Sequence, residues 1–235
     1  MDRDVELSLP EQLMLLVLRD DTGTMESSAN MYQLALGGAI LSELLLAGTI
    51  TIDDDKKKLV RFARQKRLRD PILNECLVLV SESKRSYNAA TWVSRFGGLK
   101  RLRHRIAEGL CRRGILEDSE DKVLFFFTRA IYPTINPAPE RQLVTRMREA
   151  IQGSSRDLDP SVALLIALAQ ATGLLRIHFD KSELKERKDR IEQITSGDLV
   201  GSATADAVRA AQQAAQAAVM SAIIASTVIN TTTHC

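Results

Sequence analysis

Aromatic residues make up only 4% of this 235-residue chain, with a single tryptophan, and there are just three cysteines, three histidines and six prolines. The cysteines (Cys76, Cys111, Cys235) lie far apart with no CxxC, which excludes a disulfide scaffold and predicts a reducing compartment. His104, His178 and His234 are equally scattered. No HExxH or paired Cys/His spacing occurs, so no metal ligand set is readable. GxxxxGKS/T, GxSxG and GxGxxG are absent as well. The expectation is therefore a protein with no catalytic residues, no metal and no cofactor. The start, MDRDVELSLP, is acidic and lacks an apolar stretch after a basic one, which predicts no secretory leader. The longest weakly polar run, Ala217 to Ile229, is too short to span a bilayer.

What is present is ordinary globular composition, 45% hydrophobic and 26% charged. It excludes disorder and predicts one large domain or two small ones with a substantial core. The net charge of +2 hides an asymmetry. Between Lys84 and Arg113 nine basic residues face one acid, Glu108, so this segment carries +8 and leaves −6 for the rest. A second run, KKKLVRFARQKRLR (Lys56 to Arg69), carries eight positive charges and no acid. Charge concentrated in this way points to an anionic partner surface, with phosphate on lipid or nucleic acid the first candidate. A solvated basic helix face is the plainer alternative.

The pattern along the chain is mainly helical. Ser8, Leu9, Pro10 and Glu11 read as a capping box opening the helix EQLMLLVLRD. A second helix runs from about Met31 to Ala47 and stops at Gly48. TITID, a DDKK turn and KLVRF read as a hairpin. Asp70 and Pro71 open ILNECLVLVSESK, and Asn88 to Phe96 holds Trp92. The basic helix, Leu99 to Arg113, closes at Gly114. ILEDSEDKVLFFFTRAIYP reads as a second hairpin, its turn at EDSED and its second strand containing Phe125, Phe126 and Phe127. ERQLVTRMREAI is a helix, and SVALLIALAQATGLLRI, apolar around most of its circumference, belongs at the centre of a bundle. SELKERKDRIEQI reads as a charged surface helix, and the alanine-rich stretch from Ala203 to Ile229 as a last one. Two stretches, ILSELLLAGTITIDDDKKKLV from Ile40 and IAEGLCRRGILEDSEDKVLFF from Ile106, align without a gap as helix, glycine, strand, turn and strand.

In the basic helix Leu99, Leu102, Ile106 and Leu110 form one core stripe, and Lys100 and Arg103, three apart, are placed to converge on one anion. Arginine brings a planar fork for phosphate oxygens and lysine a mobile point charge. Arg101 and Arg105 form a second pair further round the helix. A basic helix beside a hairpin suits a winged DNA reader or an anionic membrane. The acids Glu117, Asp118, Glu120 and Asp121, read as the turn, count against DNA backbone, so nucleic acid is not favoured. Phe125, Phe126 and Phe127, followed by Ile131 and Tyr132, read either as a buried strand or as a wedge for lipid or a partner subunit. The alternatives to a peripheral membrane protein are a winged-helix nucleic-acid binder and an oligomeric scaffold. His104 alone does not make an enzyme.

LSLPEQLMLLVLRDDTG, GGAILSELLLAGTITI, LKRLRHRIAEGLCRRGIL and DPSVALLIALAQATGLL resemble, in order and spacing, the Golgi phosphoprotein 3 family, a likeness running from about Leu7 to Val228. The resemblance implies a mainly α single domain, with a central apolar helix surrounded by amphipathic helices and short β-hairpins. It places a short N-terminal tail at residues 1–6, the domain at 7–229 and a C-terminal tail at 230–235. It also implies a peripheral adaptor that binds phosphatidylinositol 4-phosphate, a vesicle coat and cytosolic tails of membrane proteins. A hydrophobic hairpin, resembling Val123 to Pro133 here, serves insertion and self-association. Of the family's headgroup pocket, the later basic pair falls on Lys100 and Arg103, with Arg101 and Arg95 as helpers. The pocket tryptophan falls near Ser28 and the first arginine near Gly37, so half the pocket is missing. Trp92 resembles a different, structural tryptophan. With only an acidic stretch, Met1 to Glu6, ahead of the domain, coat binding is not expected. The expected protein is a bacterial-type homologue, cytoplasmic and peripherally membrane-associated, or on the Golgi cytosolic face in a eukaryote. It binds anionic phospholipid with an incomplete pocket.

Overall fold

A computed structural model describes residues 6–19, 22–25, 32–123, 127–201 and 208–213. The fold is mainly α with two small antiparallel hairpins.

Helix α1 (Leu9–Val17) starts as its local chemistry dictates. The Ser8 N–H donates to Glu11 Oε2 at 2.9 Å, and Pro10 occupies the first turn. The Leu9 N–H, one of the orphan donors of a helix start, is satisfied from elsewhere, by Glu43 Oε2 at 2.8 Å. Burial pushes the Glu43 carboxyl above the usual carboxylate range. Helix α2 (Tyr32–Leu46) ends at Gly48, whose φ of +65° is left-handed. Strands β1 (Ile50–Ile52) and β2 (Val60–Phe62) follow, paired Ile50 to Phe62. Asp70 caps α3 (Pro71–Ser81) through the Ile72 N–H at 2.8 Å, and Asn88 caps α4 (Ala89–Gly97) through the Thr91 N–H at 2.8 Å.

α2 crosses α4 at very short range. A Cβ on Gly37 would stand 2.1 Å from the Val93 carbonyl oxygen, and one on Gly97 would stand 2.3 Å from that of Gln33. Trp92 is buried in this region, edge-on to Tyr87 and tilted on Phe96, which agrees with a structural tryptophan.

The basic helix α5 (Leu102–Arg112) begins three residues later than its apolar stripe suggests. Arg101 has φ +56°, so the chain turns there before the first helical hydrogen bond, Arg105 N–H to the Arg101 carbonyl at 3.0 Å.

The second hairpin departs from the sequence reading in a way that matters. Its strands are β3 (Ser119–Val123) and β4 (Phe127–Ile131), with Ser119 opposite Ile131 and Val123 opposite Phe127. EDSED is therefore not the turn, and of the three phenylalanines read into the second strand only Phe127 falls within the described residues, at the start of β4. The acids sit in and just before β3, where Asp121 faces Arg129 and pairs with it at 2.6 Å. An opposite-charge cross-strand pair holds a register that composition alone does not reveal. The three residues between the paired ends, Leu124, Phe125 and Phe126, lie outside the described residues. Gly48 and Gly114 are both left-handed, at +65° and +69°, so the internal echo is real as far as helix and glycine. It then lapses, because a Leu116–Thr134 bridge extends the second ladder and lengthens that hairpin.

Helix α6 (Ala138–Gln152) is followed by α7 (Pro160–Ala171), capped by Asp159. Every residue from Val162 to Ala169 is buried, and α7 packs against α1, α2, α6 and α10. It is the central helix its all-round apolar surface predicts. The helical pattern breaks at Gly173 (φ +79°) before α8 (Leu175–His178). SELKERKDRIEQI forms two short helices, α9 (Lys181–Glu186) and α10 (Lys188–Thr195), joined at Arg187. Of the alanine-rich segment only residues 208–213 are described, and they are helical.

Candidate functional site

The start of α5 meets the base of the second hairpin and the loop after α1. Lys100 is exposed and precedes the left-handed Arg101, so it is off the helix, and helical spacing does not set its relation to Arg103. A left-handed arginine costs about 1 kcal/mol, held here by the surrounding turn. Arg103 Nη2 donates to His104 Nε2 at 3.2 Å, and His104 Nδ1 lies 2.8 Å from the Tyr132 hydroxyl. A guanidinium only donates, so Nε2 accepts and the imidazole proton sits on Nδ1, donating to Tyr132. The Tyr132 N–H in turn donates to the Gly23 carbonyl at 3.0 Å. Gly23 has φ +60°, and a Cβ there would stand 2.2 Å from Pro133 N, so only glycine lets this loop reach the hairpin. Tyr132, read from the sequence as part of an inserting hairpin, is buried at its base, and Ile131 is half-buried. Phe127 is described only through its backbone pairing with Val123.

Ion pairs divide the basic cluster. Arg101 pairs with Glu108 at 3.3 Å. Arg105 grips Glu75 of α3 with both terminal nitrogens. Arg113 donates to Glu11 at 2.8 Å and to the Glu6 carbonyl at 2.9 Å. The supposed Arg101–Arg105 pair thus points to two different carboxylates. Arg95 lies over the Tyr87 and Trp92 rings, 4.7 Å from each centroid, which carries its guanidinium toward the start of α4 rather than toward Lys100. Lys100 and Arg103 meet no carboxylate among the described residues.

Of the two positions that the family resemblance assigns to a headgroup pocket without matching residues, one falls within the described residues. Ser28 lies outside the described residues. Gly37 is buried against Val93 with no room for a methyl group, still less for a guanidinium. A cleft of about 660 Å³ lies elsewhere, between the β1–β2 turn, the start of α4 and residues 208–213. It is lined by lysines and by Asp53 and Asp54, and Asp54 already holds Lys58 at 2.9 Å. Among the described residues no cluster of side chains could hold a metal ion, and no helix is long and apolar enough to cross a membrane.

The His104 link was not legible in the sequence, where Tyr132 carries only an apolar signal. It makes stability depend on pH. Burial, then Arg103 and Arg101, hold the imidazole below its ordinary value of 6.5. The unfolded chain therefore binds the proton more readily than the folded one. His104's contribution is complete above about pH 6.5 and is lost as the pH falls through the lower, folded value. Thermal melts between about pH 7.5 and 5 should show a smaller acid-side drop for His104→Asn, which keeps a donor for Tyr132 but cannot titrate. Parallel pH profiles for the two proteins would contradict this.

A family model for Golgi phosphoprotein 3 (GPP34) matches residues 9–211. Vacuolar protein sorting-associated protein 74 of Eremothecium gossypii is 26% identical over 164 residues, covering 62% of this chain and 49% of that protein. The chain thus spans about half the length of that relative. With the order of helices, the two hairpins and the central α7 in place, the chain belongs to the Golgi phosphoprotein 3 family.

Proposed function

We propose that this protein is a non-enzymatic, peripheral membrane adaptor that docks on anionic phospholipid through Lys100 and Arg103, beside the hairpin whose base is Tyr132. One observation carries the reading. In a cluster where Arg101, Arg105 and Arg113 are neutralised by Glu108, Glu75 and Glu11, Lys100 and Arg103 are left with no carboxylate among the described residues. They stand at one end of α5, next to the hairpin. Two weak anchors, a cationic site and an apolar hairpin, give the double signal that stable membrane association needs. Leu124, Phe125 and Phe126, between the paired strand ends, supply the apolar part. Arg101, held by Glu108, and Arg95, stacked on the Tyr87 side of α4, stay outside this pair. Without a side chain at position 37, recognition rests on charge rather than on one headgroup, so general anionic lipid is favoured over strict phosphatidylinositol 4-phosphate specificity. The protein-facing part of the adaptor role takes cytosolic tails of membrane proteins or a second copy through the hairpin. Its setting is the cytoplasmic face of a membrane, the Golgi in a eukaryote. A winged-helix reader of DNA is disfavoured, because a recognition helix needs free cations outward and Arg101 and Arg105 are engaged.

Liposome co-sedimentation tests the reading. Each basic residue near an anionic surface is worth about 1 kcal/mol, so Lys100→Ala/Arg103→Ala should weaken binding to phosphatidylserine vesicles roughly thirty-fold, with an unchanged thermal melt. Preference for phosphatidylinositol 4-phosphate over phosphatidylserine would show that other residues complete the pocket. No binding to any anionic vesicle would sink the membrane reading and put the oligomeric scaffold first.

A further inference from the structure

The second basic run, Lys56 to Arg69, takes no part in the site above, and its members divide sharply by partner. Lys58, Arg61 and Arg69 are held by Asp54, Asp53 and Glu6. Arg64 donates to the Ala47 and Gly48 carbonyls at the end of α2. Lys66 and Arg67 are exposed and meet no carboxylate among the described residues. The same is true of Lys84 and Arg85. These two pairs border one surface. The Val60 N–H of β2 donates to the Tyr87 carbonyl at 2.9 Å, and Arg61 donates to Ser86 Oγ at 2.7 Å, so Ser86 and Tyr87, which directly follow Lys84 and Arg85, lie beside β2. On the other side Asn74 of α3 clips the Leu68 backbone, accepting from its N–H at 2.8 Å and donating to its carbonyl at 2.7 Å.

Apolar exposure concentrates on the same surface. Four large hydrophobic side chains are exposed among the described residues, and three of them lie here: Phe62 (41%) on β2, and Val78 (40%) and Leu79 (37%) on α3, which packs on β2. Single exposed hydrophobic residues need no explanation, but three grouped beside four cations without carboxylate partners do. Glu82 is the one carboxylate within residues 61–69 and 82–88. The Arg105–Glu75 pair ties α3 to α5. Arg103 and Arg105 are two residues apart, about 200° round the helix, so α3 lies on the flank of α5 away from Arg103.

We propose that β2, residues 63–68 and the outer side of α3 form a second lipid-docking surface, in which Phe62, Val78 and Leu79 enter the headgroup layer of an anionic membrane while the cations at 66–67 and 84–85 meet its phosphates. The proposal rests on the membrane reading above and deepens it, giving the protein two contacts on opposite flanks of α5. Cations surrounding a small apolar group are the composition of an interfacial lipid anchor.

The native background makes a direct test possible, since Trp92, the one tryptophan, is buried. Phe62→Trp and Leu79→Trp proteins are mixed with phosphatidylserine vesicles carrying brominated acyl chains. Expected is quenching of the introduced indole in both variants, with none in the unsubstituted protein and none with neutral phosphatidylcholine. In parallel, Lys66→Ala/Arg67→Ala/Lys84→Ala/Arg85→Ala should bind the same vesicles a hundred-fold or more weakly. Sedimentation with anionic vesicles but no quenching at either position would overturn the second surface and leave the Lys100–Arg103 site standing. Failure of the unsubstituted protein to sediment would overturn both. Capture of poly-glutamate that the fourfold variant loses, with vesicle binding unaltered, would reassign the surface to an acidic protein and overturn the lipid proposal.

Discussion

Alanine at position 37 should destabilise the protein by about 3 kcal/mol, although the same change in the middle of another helix should stabilise it. Helix propensity favours alanine over glycine by about 1 kcal/mol. At Gly37 that gain is overwhelmed, because the new Cβ would stand 2.1 Å from the Val93 carbonyl oxygen and 2.8 Å from the Gly97 nitrogen. Both are backbone atoms of α4, so no side chain can swing aside and the two helices must move apart. Separating them strips contacts from neighbouring buried residues, including Leu36, Ile40, Trp92 and Val93. In a chain of this size 3 kcal/mol corresponds to a fall in Tm of roughly 6–12 °C. Gly109 in α5 is the matched control. Its Cβ would meet nothing nearer than 3.8 Å, so Gly109→Ala should keep the propensity gain and raise Tm by a few degrees. Thermal melts of the two variants check the pair. Similar shifts in both would mean that α2 and α4 do not meet at Gly37. A longer side chain such as arginine at this position should do worse than alanine, because it must pass the same backbone atoms.

The second large effect is expected along α7. Consecutive helical residues point 100° apart, so an amphipathic helix loses much stability at some positions and little at others. Leu164, Leu165 and Ile166 are consecutive and fully buried, covered by neighbours on several sides. Truncating each to alanine should cost about 2–5 kcal/mol, with no position spared. The contrast is α6, where Leu143 and Met147 are buried but Arg141 and Thr145 are exposed. There an alanine scan should rise and fall with helical periodicity. Chemical denaturation of the α7 variants measures this directly. A periodic pattern of losses along Leu164–Ile166, with one near zero, would contradict a helix enclosed on all sides.

Much of this architecture was legible in the residues because its causes are local. Asp70, Asn88 and Asp159 start helices by accepting hydrogen bonds from N–H groups two or three residues on. Gly48 and Gly114 end helices by adopting a conformation other residues resist. The apolar stripes of α5 and α6 and the uninterrupted one of α7 follow from helical period alone. The hairpin after α5 was misread for an equally physical reason. EDSED has turn composition, but the Asp121–Arg129 pair and the Leu116–Thr134 bridge draw it into and toward the ladder.

The candidate site shows the same boundary. A concentration of positive charge in residues 84–113 follows from sequence alone, as does the choice of Lys100 and Arg103 through family likeness. Which of those charges remain available does not. Arg105 is neutralised by a carboxylate 30 residues away and Arg113 by one 102 residues away, while Arg95 is stacked on rings at the far end of α4. His104 acquires its tautomer from Arg103 and from a tyrosine 28 residues on. Composition and periodicity determined that this is a mainly helical protein with concentrated basic charge and a central apolar helix, because capping and core burial depend on neighbours within a turn or two. Only the tertiary structure decided which cations face solvent unneutralised, which residues of the second hairpin pair and why position 37 admits no side chain, because each depends on an atom brought close by chain packing.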